Sequence, residues 1–472
     1  MQKQENGKKE NITTGKNNLP KLTRRVGLIS ASCVIIADMV GSGIFTTSGF
    51  IMQMLNDPWW LLACWLIGGA ITFTGALSYG ELGARLPLAG GEYVFLRESF
   101  GPLWAFLSGW ISLVVGFSAP IAASAMAASG YLLHIIPGVP QEPLFCAGCL
   151  VISVETLLAL AFLAAFTLLH TRRLGIGLGV QNALTLFKIL ILITLIVAGL
   201  WFWPVDSPWQ PVAVSGPQAP SAGAVATALV FISFAYTGFN AAAYLGGEIK
   251  NPGRNLPRAL LSGTGLVVLL YLLLNIAYLA ALGPEGMPGI KEIGAVAAKA
   301  LFGPWVGGIL SVAICICLLS ALGAMILAGP RVYYAMARDG LFLGALGRID
   351  PRSGVPNNAI WLQSAIAAVM ILSASFNALL FYIGFTLSLI AALAVAGLFV
   401  LRRKDPSQAP FKVPGYPLTP LIFIVANLGM VTFSLADNPW RGLPSAITLA
   451  LGLLFYWYFK RRVNNKPSQV DK

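Results

Sequence analysis

An apolar run long enough to enter a bilayer, yet interrupted by glycine near its midpoint, leaves a chain few ways to fold. Cys33 to Phe50, CVIIADMVGSGIFTTSGF, is such a run. Gly41, Ser42 and Gly43 fall near the depth of a membrane midplane, and two glycines so close together weaken a helix. A broken helix in hydrocarbon frees backbone N–H and C=O groups that no water reaches, so the break persists only where it is buried in protein or lines a cavity. The half-helix that restarts after it turns its N-terminal N–H groups and positive dipole end into that cavity, which suits a carboxylate. The alternative is a small-residue packing face between helices, although GSG is too tightly spaced for the GxxxG geometry of such faces.

The composition agrees with a membrane setting. Of 472 residues, 57% are hydrophobic and 10% charged, against about 25% charged in soluble domains. This pattern predicts a polytopic all-α integral membrane protein. A window of about 20 apolar residues finds twelve segments. They cover approximately 26–54, 59–84, 101–136, 145–169, 175–203, 222–248, 259–283, 301–337, 356–374, 376–401, 418–436 and 443–460. With the amino terminus inside, 27 of the 31 lysines and arginines fall in the first tail, the even-numbered connections and the end of the chain. The outer connections hold only Lys291, Lys299 and Arg441, while Lys188 lies within a helix. That asymmetry places both termini in the cytoplasm and explains the net charge of +13 by attraction to anionic lipid, with no nucleic acid partner. Trp59, Trp60, Trp201 and Trp203 mark outer boundaries.

The six cysteines lie in or beside apolar runs. Cys146 and Cys149 form a C-x-x-C without a second pair at zinc-like spacing, so they read as ordinary helix residues, and no metal site or disulfide framework is expected. The Lys-rich first 25 residues read as a disordered cytoplasmic tail rather than a signal peptide. Neither His134 nor His170, both at helix ends, suggests a relay. No grouping of nucleophile, base and orienting residue suggests an enzyme, and no cofactor is implied.

The sixth segment repeats the device of the first, with Thr237 and Gly238 near its middle and Asn240 just beyond. Interrupted helices five apart are what an inverted repeat of five helices produces, with a ligand between the breaks.

Five motifs now make a resemblance specific: GSGIF in segment 1, GELGARLPLAGGEY after segment 2, FAYTGFN with EIKNPGRNLPRAL at segment 6, RVYYAMARDG after segment 8 and APFKVPGYP before segment 11. Together they resemble the amino acid-polyamine-organocation (APC) permeases, and most of all their L-type and bacterial amino acid permease branches. The resemblance implies a LeuT-like fold of 12 transmembrane helices: a 5+5 inverted repeat with broken helices 1 and 6, plus two extra helices. The divisions would be a tail 1–25, a first repeat 26–203, an extracellular connection 204–221 and a second repeat 222–401. A cytoplasmic connection 402–417, helices 11 and 12 over 418–460 and a tail 461–472 complete the chain. The implied activity is secondary transport of L-amino acids by alternating access, as exchanger or proton symporter, across the cell membrane. Besides the amino acid and membrane lipid no partner is implied, and no disulfide-linked subunit is expected.

Carried over by position, the substrate-binding residues would be Val40, Gly41, Ser42, Gly43 and Ile44 of the first break with Phe231, Phe234, Ala235, Thr237 and Asn240 of the second. The N–H groups of Ser42, Gly43 and Ile44 would hold the α-carboxylate. Carbonyls of Phe231, Phe234 and Ala235 would receive the ammonium, and Phe234 would gate the site. Unwound backbone does supply both kinds of partner that a zwitterion needs, without burying a charged side chain.

Two ionisable residues stand apart. Asp38, three residues before Gly41, is either a structural carboxylate satisfied at the break or a specificity or proton-titrating group. Lys188 lies about 13 residues, roughly 20 Å of helix, past Arg172 to Gly175, too deep to snorkel. In the family its ammonium would meet the Ala37 and Val40 carbonyls near Ser320, in place of sodium. The structural alternative is an ion pair with Glu155, read as lying deep in helix 4. A mostly apolar wall favours neutral substrates, while Asp38 keeps cationic amino acids or polyamines open. An amino acid sensor that does not transport is the alternative from another class, and a channel fits least, since no carbonyl-loop filter is present. Glu248 and Arg258, around the loop after segment 6, are expected to organise the inner gate.

Overall fold

The computed structural model describes residues 24–136, 138–140, 143–147, 150–172, 178–201, 219–350, 355–406 and 409–464. Most of the first tail, Cys149, Arg173, Gly175, Gly177, Trp203, most of the 204–221 connection and residues 465–472 lie outside them. The protein is a helical membrane protein. Among the described residues nine helices are long and apolar enough to cross a membrane, and the bent pair Leu28–Met39 and Ser42–Leu55 makes a tenth. Two shorter apolar helices, Ala222–Ala235 and Asn357–Ser373, accompany them.

Helix starts follow local chemistry. Asp57 accepts from the N–H groups of Trp59 and Trp60 at 2.7 and 3.0 Å, with Pro58 at the first helical position, where its missing N–H costs nothing. Ser221 and Ser375 cap Ala222–Ala235 and Phe376–Lys404 in the same way. The lipid-facing wall is apolar, and the indole of Trp201 is 80% exposed beside it, as an interfacial anchor would be.

Three segments differ from the sequence reading. The fourth does not start as a helix at 145: the short strands Phe145–Ala147 and Leu150–Ile152 pair antiparallel, and the span is Val154–Arg172. Cys146 is therefore a strand residue, because a β-branched and aromatic apolar run looks the same to a hydropathy window whether it is strand or helix. Glu155 consequently sits in the first turn of its helix and not deep within it. The eighth segment starts earlier, at Ile293, but Gly303 at φ +77° followed by Pro304 divides Ile293–Ala328 into a short arm and a long span. In the third, Pro102–Leu133, a π-helical turn at Ser112–Ser118 interrupts the α-helix.

Both broken helices are seated among the longest spans. Leu28–Met39 packs on Pro252–Leu282 and Leu178–Trp201, and Ser42–Leu55 packs on Ala222–Ala235. Around them, Pro102–Leu133 lies along Ile293–Ala328.

Three of the sequence motifs meet on the face rich in basic residues. Glu81 of GELGAR pairs with Arg85 at 2.9 Å and with Arg402, and accepts from the Val413 N–H of APFKVPGYP at 2.7 Å. Tyr93 and Arg97 both bind Asp339 of RVYYAMARDG, at 2.5 and 3.0 Å. Polar contacts thus tie far-apart stretches of sequence together in two separate groups.

Candidate functional site

The first helix stops at Met39 and resumes at Ser42 with a 41° bend. Three of the carbonyls freed at the break accept from buried side chains. Lys188 Nζ donates to the Ala37 and Val40 oxygens at 3.0 and 3.1 Å, and the Tyr271 hydroxyl donates to Met39 at 2.7 Å. Lys188 is fully buried, so its aliphatic stem crosses the core to place the ammonium on the break. Two carbonyl dipoles offset part of the cost of burying that charge. Ser320 is buried on Ile293–Ala328, and its hydroxyl has no hydrogen-bond partner among the described residues. Its neighbour Ala321 packs at the break, 3.8 Å from a Cβ built on Gly41.

The pair with Glu155 is not formed. Glu155 binds Lys291 instead, near Glu292, because both lie in the ends and connections of their helices while Lys188 is central.

At the second break Ala222–Ala235 gives way to turns at Tyr236–Asn240, with Gly238 at φ +93°, before the single turn Ala241–Tyr244. The Phe234 carbonyl already accepts both the Thr237 N–H (3.0 Å) and its hydroxyl (2.7 Å), which occupies both lone pairs. The two breaks touch at two places. A Cβ built on Gly43 would fall on the Ala235 backbone, and one on Gly238 would lie 2.7 Å from Asp38 Oδ2. Only glycine permits either approach.

This contact leaves no ligand-sized gap between Gly43 and Ala235 and sets a cavity on each side of it. On the side of the basic face, Asp38, Thr237 and Asn240 share a cavity with Glu92, Ser112 and Ser388. On the other, Phe231 and Phe381 wall a vestibule with Arg441 at its rim. Val40, Gly41, Ser42, Gly43, Ile44, Phe234 and Ala235 are buried and line neither. No side chain caps the helix that starts at Ser42, so its first N–H groups keep the donor character of an uncapped N-terminus.

Glu92 is the residue that sequence reasoning passed over. It stands in GGEY, quoted above only as a family marker. Buried at the start of Glu92–Phe100, it accepts from Tyr79 at 2.5 Å and Asn240 at 2.9 Å, with Tyr244 at 3.5 Å. A carboxylate bound only by neutral donors thus fixes the unwound segment to the helix Pro58–Arg85. The signal available in sequence was an acidic residue directly after GG, at the start of a helix.

Burial raises the Glu92 carboxyl above the usual carboxylate range, against the three hydrogen bonds that lower it. An acid raised in the folded state contributes stability that is present below the free glutamate range and lost as pH rises through the raised value. Glu92→Gln keeps an acceptor for Tyr79 and Asn240, so thermal unfolding in detergent should lose this pH dependence without loss of stability at neutral pH. Glu92→Ala leaves two buried donors unpaired and should destabilise by about 1–3 kcal/mol for each. Equal unfolding temperatures for the two variants would count against the arrangement.

The sequence model of the amino acid permease family matches residues 26–457. The serine/threonine exchanger SteT of Bacillus subtilis (strain 168) is 31% identical over 446 residues, covering 93% of this chain and 98% of that protein. The b(0,+)-type amino acid transporter 1 of Mus musculus is 30% identical over 445 residues, 93% of this chain and 88% of the relative. The large neutral amino acids transporter small subunit 2 of Mus musculus is 29% identical over 461 residues, 94% and 83% of the two chains.

Proposed function

The chain belongs to the amino acid permease family, whose relatives named above are transporters and not enzymes, and from that premise we propose a sodium-independent carrier of neutral L-amino acids. The carrying observation is the Lys188 ammonium on the Ala37 and Val40 carbonyls. A fixed cation there takes the place that sodium would hold at a broken helix, so the cycle needs no external ion at that position. A lysine that stays charged makes the protein an exchanger or facilitator, and one that releases a proton in one state makes it a proton symporter.

Small neutral substrates are supported by the serine and threonine in the name of the Bacillus subtilis relative and by the Thr237, Asn240 and Ser112 side chains in the inner cavity. The two breaks, the packing of the third span on the eighth, and the two short apolar helices added to the ten spans support twelve helices in a 5+5 LeuT-like repeat. The repeat boundaries are those given with the sequence. Both termini are assigned to the cytoplasm of the cell membrane. Tags at either end should resist protease in sealed right-side-out cells, and their digestion would reverse the topology.

Uptake into proteoliposomes should persist when choline replaces sodium, and loss of uptake would overturn the assignment. A requirement for internal amino acid marks exchange, and stimulation by an imposed inward proton gradient marks symport. Failure to show counterflow with labelled substrate would leave the sensor. A second reading, cationic substrates, is favoured by Asp38 and Glu92 in one cavity. Asp38→Asn should leave neutral uptake partly intact. A selective loss of competition by arginine or lysine in that variant would establish the cationic reading instead.

A further inference from the structure

On the basic face a groove opens between the start of the first helix and the start of Pro252–Leu282. Arg24, Arg254 and Arg258 line it, with Asn251, Gly253 and Phe411, and no acidic side chain does. None of these three guanidinium groups has an ion pair or hydrogen bond among the described residues. By contrast Arg85, Arg97, Arg331, Arg402 and Arg441 are each spent on a carboxylate. Three unspent arginines held within one groove repel one another, which an anion would relieve.

Two further features point the same way. Pro252–Leu282 is 31 residues long and begins at Pro252 without a side-chain cap, so its positive dipole end opens into the groove. The helix that follows Arg24 and the helix that carries Arg254 and Arg258 both continue into exposed apolar surface, at Ile29 on one and at Leu266 and Leu269 on the other. A soluble anion has no use for that surface, whereas a headgroup with acyl chains does. We propose that this groove binds the phosphodiester of an anionic phospholipid, with the arginines on the phosphate and the chains along the neighbouring apolar wall.

The site rests on the membrane placement of the chain and not on its substrate. Its position gives it a lever on transport. The Val26 N–H donates to Glu248 and the Lys250 N–H donates to Val26, at 3.0 and 2.9 Å. The start of the first helix is therefore backbone-paired with the loop that follows the second break. A lipid bridging Arg24 to Arg254 and Arg258 holds the inner halves of both broken helices against the helix Pro252–Leu282.

The test titrates phosphatidylglycerol into the purified full chain in detergent micelles, against phosphatidylcholine as the zwitterionic control, and counts retained lipid by native mass spectrometry. Wild type should bind one phosphatidylglycerol saturably. R254Q/R258Q should bind it about 30-fold more weakly, the factor given by two surface cations at the usual attraction to anionic lipid. R254K/R258K should stay within about threefold of wild type, since the charge that attracts anionic lipid is kept. K460Q/R461Q removes as many charges from the same face elsewhere and should change nothing. If the glutamine pair does not fold, R24Q alone should read about fivefold weaker. Undiminished binding in R254Q/R258Q or R24Q, or an equal loss in K460Q/R461Q, would overturn the site. Displacement of the lipid by millimolar inorganic phosphate would make it a free-anion site and overturn the lipid assignment.

Discussion

Lys188→Ala is expected to cut substrate turnover by about 100-fold or more, the factor that follows from losing two hydrogen bonds to a charged group. The substitution removes both donors from the Ala37 and Val40 carbonyls and empties the space beside the break. Those oxygens then face a dry interior, and the bend between Leu28–Met39 and Ser42–Leu55 loses the contact that fixes it. Lys188→Met keeps most of the side-chain volume and should fail equally, which separates the lost charge from the lost packing. Counterflow in proteoliposomes gives the rate, and thermal unfolding in detergent gives the stability. Turnover in both variants equal to that of wild type would leave the lysine with no part in the cycle.

Gly43→Leu should abolish uptake outright, and the reason is closer packing than the sequence implies. A Cβ at position 43 lands on Ala235, so even Gly43→Ala must push the two breaks apart, at about 1–3 kcal/mol for overpacking. Gly41 is different: a Cβ there meets Ala321 at 3.8 Å, an ordinary contact. Gly41→Ala should therefore retain far more uptake than Gly43→Ala at equal surface expression. Equal losses in the two alanine variants would mean that the contact with Ala235 does not set the geometry of the site.

That contrast shows where sequence reading stops. GSG marks the break because two glycines weaken any helix, but the letters treat Gly41 and Gly43 alike. Only their neighbours, Ala321 and Ala235, distinguish them. Likewise the depth of Lys188 followed from counting helical rise, and excluded an interfacial head. Its contacts needed the helix Leu178–Trp201 laid across Leu28–Met39. The misplacement of Glu155 has a related cause: the paired strands Phe145–Ala147 and Leu150–Ile152 are as apolar as a helix, so a hydropathy window merged them with it.

By itself the sequence determined the membrane class, most span positions, the asymmetry of basic residues and the locations of both breaks. Each of these depends on composition, on length against bilayer thickness, or on the local preference of glycine. Tertiary structure alone decided that Glu92 receives Tyr79 and Asn240, that Glu155 binds Lys291, and that the breaks close on each other at Gly43 and Ala235. It also decided that the cavity beside Asp38 lies apart from the buried Ser42 to Ile44 backbone. The physical reason is common to all of them: which donor meets which acceptor, and which surfaces close on each other, depends on how helices far apart in the chain cross, and no pattern along one segment records that crossing.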